Sequence, residues 1–247
     1  MANELDEVTG PTNPEGRDVN VIDKQLKVTT TFGTKLFEIA LWTVGIPIAY
    51  LSGYGSTGDA LTAIPFAVLG IIPGVIFAIM KLRALAYLQK LQQKVNADAS
   101  QIDNYLEQRV VILENLTKLL DKSIDVDKDV MKTVAAYRSG INPNSDISRN
   151  ETSAMLEGMF SRLNVAFEAY PDLRSQENIA EAMRQNSYLQ KEITASRTLY
   201  NDTVTRWNQD IFSWPTNQIV AAKQGYSTRI PFTTTRDMKE AARKTFF

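Results

Sequence analysis

Ala60 to Met80 is a run of 21 residues without a charged side chain. A bilayer core about 30 Å thick takes about 20 helical residues to cross, so this run is long enough to span it. Within hydrocarbon every backbone N–H and C=O must find its partner inside the segment, which makes the run a helix. A second apolar run, Phe37 to Tyr54, precedes it and carries one acid, Glu38, near its start. The turn Gly55-Ser56-Thr57-Gly58-Asp59 separates the two. Together they predict an N-terminal transmembrane helical hairpin over 35–81. Gly45 and Pro47 weaken the first run as a helix, so a dip into the interface is the alternative to a full span there.

The flanks set the orientation. Lys24, Lys27 and Lys35 precede the first run, and Lys81, Arg83, Lys90 and Lys94 follow the second; the turn between has no Lys or Arg. Basic flanks stay on the cytoplasmic side, so a multi-pass cell-membrane protein with both termini cytoplasmic is expected. Pro47, Pro65, Pro73, Gly70 and Gly74 admit broken helices around a transport site, a kinked anchor, or a wedge that favours curvature. The absence of any charge in the second run favours the anchor.

Composition narrows the chemistry. With 27 basic and 28 acidic residues there is no basic surplus for nucleic acid. The chain has no histidine and no cysteine, which excludes Cys/His zinc sites, thiol catalysis and histidine acid–base work. No cofactor is expected. The polar leader, 1–34, is expected to be mobile, and it lacks the basic start of a signal peptide.

Beyond Met80 no Gly or Pro occurs until Gly140, so the membrane helix is expected to continue outward. Leu88, Leu91, Val95, Ala99, Ile102, Leu106, Val110, Leu113, Leu116 and Leu120 follow at steps of three and four, one stripe of a helix. Residues 139–146 read as a loop, after which Asn150 or Thr152 would cap a helix carrying Leu156, Met159, Phe160, Leu163 and Phe167. A further stripe runs from Ile179 through Leu189, Ile193, Ser196, Tyr200, Val204 and Trp207 to Ile211, interrupted by Asn186. Pro215 ends it, and Gly225 marks a turn before Ile230-Pro231-Phe232. The fold expected is all-α: the hairpin, then an elongated antiparallel three- to four-helix bundle over 82–232 and a small tail helix over 233–247.

Two blocks are more specific than periodicity. One is Ser100-Gln101-Ile102-Asp103 with Leu106, Arg109, Asn115 and Leu116. The other is Tyr170-Pro171-Asp172-Leu173, then Arg197, Tyr200-Asn201-Asp202, Val204, Asn208, Pro215, Ala221 and Gly225-Tyr226. Over residues 88–232 they make the chain resemble the LemA family of bacterial membrane-anchored helical proteins, which includes MamQ-like magnetosome relatives. Departures are Ala97-Asp98-Ala99 in place of Asn-Ala-Trp, Glu114-Asn115 in place of Pro-Asn, and a second apolar run where the family has a single short anchor. The resemblance implies a membrane-anchored bundle without established enzymatic activity.

The motif residues have a structural and a ligand reading. Arg197 and Asn201, four apart, suit a local pair beside a core Tyr200 and an adjacent Asp202. Asp103, near Gln101 and Arg109, is expected to pair with a base on a facing helix, Arg197 being one candidate, and to set the bundle's register. Asp125, Asp127 and Asp129 match the start of a calcium loop, but Val130 and Ala136 stand where Gly and Glu are needed, so a helix start is expected. Trp214, Tyr226, Phe246 and Phe247 either dock partners or cap the core.

The expected function is a non-enzymatic scaffold or assembly protein whose partners are the lipid bilayer, further copies of itself and an unidentified protein, with no nucleic acid. The alternative is a subunit of a transport or channel complex.

Overall fold

The computed structural model describes residues 25–44, 47–48, 60–121, 146–169 and 177–232. These form five named helices: α1 (Phe32–Thr43), α2 (Ala60–Asp121), α3 (Asp146–Ala169), α4 (Glu177–Asp210) and α5 (Thr216–Gln224). The only β-type pairing among them is an isolated antiparallel bridge between Lys27 and Ser227. The expectations for the 55–59 turn, Asp125 to Asp129, Tyr170, Pro171 and the 233–247 tail lie outside the described residues.

α2 is one unbroken helix of 62 residues, as the missing Gly and Pro after Met80 predict. Its surface changes character along its length. From Val68 to Met80, Val68, Leu69, Ile71, Ile72, Val75, Ile76 and Ile79 are exposed on one half of the helix, and Gly70, Gly74 and Phe77 are buried on the other, so the helix here is apolar all round. A helix that is apolar all round belongs in an apolar solvent or core. By length and composition it is the one described helix able to cross a membrane. After Lys81 the buried apolar residues Ala84, Leu88, Leu91, Val95 and Ala99 recur at steps of three and four, and Arg83, Gln89, Lys90, Gln93, Lys94 and Asn96 are exposed between them.

The chain forms two compact units. The first takes its described residues from 25–94 and 205–229. In it α1 lies antiparallel against the apolar part of α2. Phe37 meets Phe77 edge-on at 5.7 Å, Glu38 accepts from Lys81 Nζ at 2.9 Å, and the Trp42 ring covers Gly74. A Cβ on Gly74 would sit 2.7 Å from Trp42 Cδ2, so glycine is what lets the two helices approach. Residues 25–29 pair with the chain after α5: Val28 N–H donates to Tyr226 C=O at 3.1 Å, and Thr228 N–H to Leu26 C=O at 2.9 Å. Gly225 ends α5 in the left-handed region (φ 69°), where a side chain would be strained, and its N–H and that of Tyr226 close the last turn.

The second unit takes its described residues from 95–204 and 230–232. Its core joins one stripe from each of α2, α3 and α4. Ile102, Leu106, Leu113 and Leu116 of α2, Leu156, Phe160, Leu163 and Phe167 of α3, and Ile179, Leu189, Ile193 and Tyr200 of α4 are all buried. α3 is helical from Asp146, four residues before the first expected cap. Asn150 and Thr152 therefore lie inside the helix.

Candidate functional site

The polar residues of the second unit gather into two groups around buried guanidinium ions. Arg109 of α2 is 1% exposed. Its Nε donates to Asn186 Oδ1 at 2.9 Å and its Nη1 to Gln190 Oε1, and Gln190 Nε2 donates in turn to Glu157 Oε2 at 3.0 Å. The Glu157 carboxylate stands 3.8 Å from Arg109 Nη1. Burial pushes the guanidinium down from the ordinary arginine range and Glu157 acts against it. Asn186, the break in the α4 stripe, is thus the residue that answers a buried charge from α2.

Arg149 of α3 carries the second group. It grips Asp103 with a fork of two bonds, Nε to Oδ1 at 2.6 Å and Nη2 to Oδ2 at 3.0 Å, and Nη1 reaches Asp146 Oδ1 at 3.3 Å. Its guanidinium lies over the Tyr200 ring, 5.6 Å from the centroid. Burial lowers its pKa, but the hydrogen bond and charge of Asp103 outweigh that and the net direction is up. The base that faces Asp103 is therefore Arg149 and not Arg197. Both residues are candidates by charge; only the packing of α3 against α2 selects between them.

Arg197 and Asn201 do not pair with each other; both are turned to the extended segment Ile230-Pro231-Phe232. Arg197 Nε donates to Phe232 C=O at 2.9 Å and Asn201 Nδ2 to the same oxygen at 3.0 Å, while Asn201 Oδ1 accepts from Phe232 N–H at 2.7 Å. Tyr200 Oη donates to Ile230 C=O at 3.2 Å, Asn150 Nδ2 to Pro231 C=O at 3.2 Å, and Ile230 N–H donates to Asp146 Oδ2 at 3.2 Å. Proline has no N–H, so every backbone donor and acceptor of the three residues is met by a side chain of α3 or α4. An extended segment buried on helices has no ladder of its own, and these side chains supply the bonds a neighbouring strand would supply.

The first unit repeats the device. Asn208 Oδ1 accepts from Arg229 N–H at 2.8 Å and its Nδ2 donates to Arg229 C=O at 3.0 Å. Beside it Trp207 Nε1 donates to Ser227 C=O at 2.9 Å and its ring packs on Tyr226 at 5.1 Å. Pro215 precedes α5, and Gly225 closes it.

Of the motif residues, Asp103, Arg109, Arg197, Tyr200, Asn201 and Asn208 enter these networks. Gln101, Asn115 and Asp202 are exposed; Gln101 bonds only locally, to Tyr105 Oη at 3.2 Å. Arg149, Glu157 and Gln190 carry no signal in the sequence reading, Asp146 enters it only as the end of a loop, Asn150 only as a candidate cap, and Asn186 only as an interruption of a stripe. A further buried pair, Thr203 Oγ1 to Asp98 Oδ2 at 2.7 Å, uses the acid that departs from the Asn-Ala-Trp pattern. Among the described residues no group of three or more acids is arranged to hold a metal ion. What the arrangement does chemically is to hold an extended main chain against two helices.

Comparison with known sequences gives a match over the stretch that contains this clasp. A family model described as the LemA family matches residues 98–247. Among curated proteins, a protein LemA of Metamycoplasma hominis is 26% identical over 121 residues, 47% of this chain and 55% of that relative. The chain thus matches about half the length of the curated relative.

Proposed function

From the premise that this chain belongs to the LemA family, we propose that it is a non-enzymatic, membrane-anchored scaffold whose helical domain serves as an assembly platform on the cytoplasmic side. The observation that carries this reading is the change along α2: an uncharged segment up to Met80 with exposed apolar side chains over the half turned away from α1, then buried apolar residues at steps of three and four. One continuous helix thereby joins a lipid-suited segment to a water-suited one. The antiparallel packing of α1 on that segment supports a two-helix anchor, and the basic flanks support cytoplasmic termini. The clasp supports a rigid platform rather than a catalytic centre, since its groups are spent on main-chain bonds. Self-association and bending of the bilayer follow in this reading from many short anchors gathered by their platforms.

Impermeant-maleimide labelling of Ser56→Cys and Ser161→Cys in intact cells tests it, and the natural lack of cysteine keeps the readout clean. Labelling at 56 alone, with 161 reactive only after lysis, is expected. Labelling at 161 in intact cells would refute the cytoplasmic platform. Light scattering of the detergent-solubilised protein tests assembly: a mass well above one chain plus micelle is expected, and a monodisperse monomer counts against it.

A further inference from the structure

We propose that the corner between α4 and α5, carried by Phe212 and Trp214, is a lipid-binding surface that sits in the headgroup region of the bilayer, level with the point where α2 leaves it. This rests on the reading of α2 as a membrane span. Trp214 is placed there by a chain of contacts within one unit. Its ring lies 5.1 Å from Phe37, and Phe37 lies 5.7 Å from Phe77, three residues before the end of the uncharged run. Next to them the Glu38–Lys81 ion pair, 2.9 Å apart and about a third exposed, marks where charge returns, and Lys81 Nζ stands 5.3 Å over the Phe77 ring. Ionised side chains keep their heads in water while their stems run along apolar surface, so this pair lies near the boundary of the hydrocarbon.

At that level Trp214 is 58% exposed and Phe212 40%. A tryptophan whose role was to cover Phe37 would not leave more than half its surface outside. Its indole couples an apolar body to an N–H donor, the combination enriched at membrane–water interfaces. The stretch Phe212-Ser213-Trp214-Pro215 has no charge to desolvate. In the same unit Leu36 of α1 and Ile76 and Ile79 of α2 are exposed as well. A bilayer is the partner that covers all of these at once. The corner, more than 130 residues after the anchor in sequence, thus gives the chain a second hold on the same membrane.

The test places a fluorophore on single cysteines in the full chain, reconstituted in phosphatidylcholine–phosphatidylglycerol vesicles. Ile76→Cys reports the span, Ser213→Cys the corner, and Ser161→Cys the exposed face of α3. Quenchers are lipids spin-labelled near the headgroup or deep in the acyl chain, and iodide in the water. Position 76 is expected to lose fluorescence to the deep label, position 213 to the shallow label with protection from iodide, and position 161 to iodide alone. Trp214→Ala is expected to lower shallow quenching at 213. Quenching at 76 with position 213 open to iodide would overturn the corner proposal and leave the span standing. Protection of 213 from both iodide and lipid labels would mean that protein covers it, which also overturns the proposal. Loss of lipid quenching at 76 would sink the span and the proposal with it.

Discussion

Arg149 and Asp103 face each other across α3 and α2 in a two-point fork, Nε–Oδ1 at 2.6 Å and Nη2–Oδ2 at 3.0 Å. The Arg149 side chain is 4% exposed, so removing the acid takes the two-point partner from a buried cation and leaves it the longer contact to Asp146, at 3.3 Å. Asp103→Ala is expected to cost about 3 kcal/mol, the usual scale for breaking one side of a buried pair. Asp103→Glu keeps the charge but misplaces the fork and should cost less. Urea denaturation of the solubilised protein, followed by circular dichroism, checks both; equal stability of the alanine variant and the parent would show that the fork contributes nothing.

Arg109 and Asn186 should behave as one unit. Arg109→Met leaves the Asn186 amide buried without its donor, and Asn186→Leu leaves the guanidinium short of an acceptor. Each single change is expected to destabilise by about 2–3 kcal/mol. The double variant should cost less than their sum by about 1–2 kcal/mol, because neither group is then orphaned. Simple additivity in the denaturation midpoints would refute this coupling.

The Asn201 amide reads Phe232 from both sides, as acceptor and as donor. Asn201→Asp keeps the acceptor but sets a carboxylate oxygen against the Phe232 carbonyl. A loss of about 2 kcal/mol is expected, with faster hydrogen exchange at Phe232 N–H. The same exchange at Arg229 N–H should follow Asn208→Asp. Unchanged exchange in either variant would mean that the amide does not hold the segment.

Tyr87 gives a pH dependence. Burial, then the hydrogen bond to Asp210, raises its phenol above the ordinary tyrosine value of about 10. A raised folded value favours the protonated form in the native state. The stabilisation is therefore complete below about pH 10 and is lost as pH rises through the folded value. Tyr87→Phe should flatten that alkaline decline. Thermal melts at neutral and alkaline pH compare the two; an unchanged slope in the variant would rule Tyr87 out as its source.

What the residues alone determined is local and periodic. The uncharged run of 21 residues, the missing Gly and Pro up to Gly140 and the steps of three and four dictate α2 and its stripe, because backbone bonding and helical period act within a few turns. The core positions Tyr200, Val204 and Trp207 follow the same way, and Gly225 marks the end of α5. Tertiary structure decided which faces met. Asp103 took Arg149 rather than Arg197, Asn186 stopped being a flaw in a stripe and became the partner of Arg109, and Arg197 and Asn201 turned to a segment some 30 residues on. The pairing of residues 25–29 with 226–228 lies 202 positions apart at Leu26 and Thr228, beyond the reach of any periodicity. A charge or an amide in a sequence states what kind of bond it needs; which group answers is set by the element packed against it, and the cost of leaving it buried without one makes that choice unique.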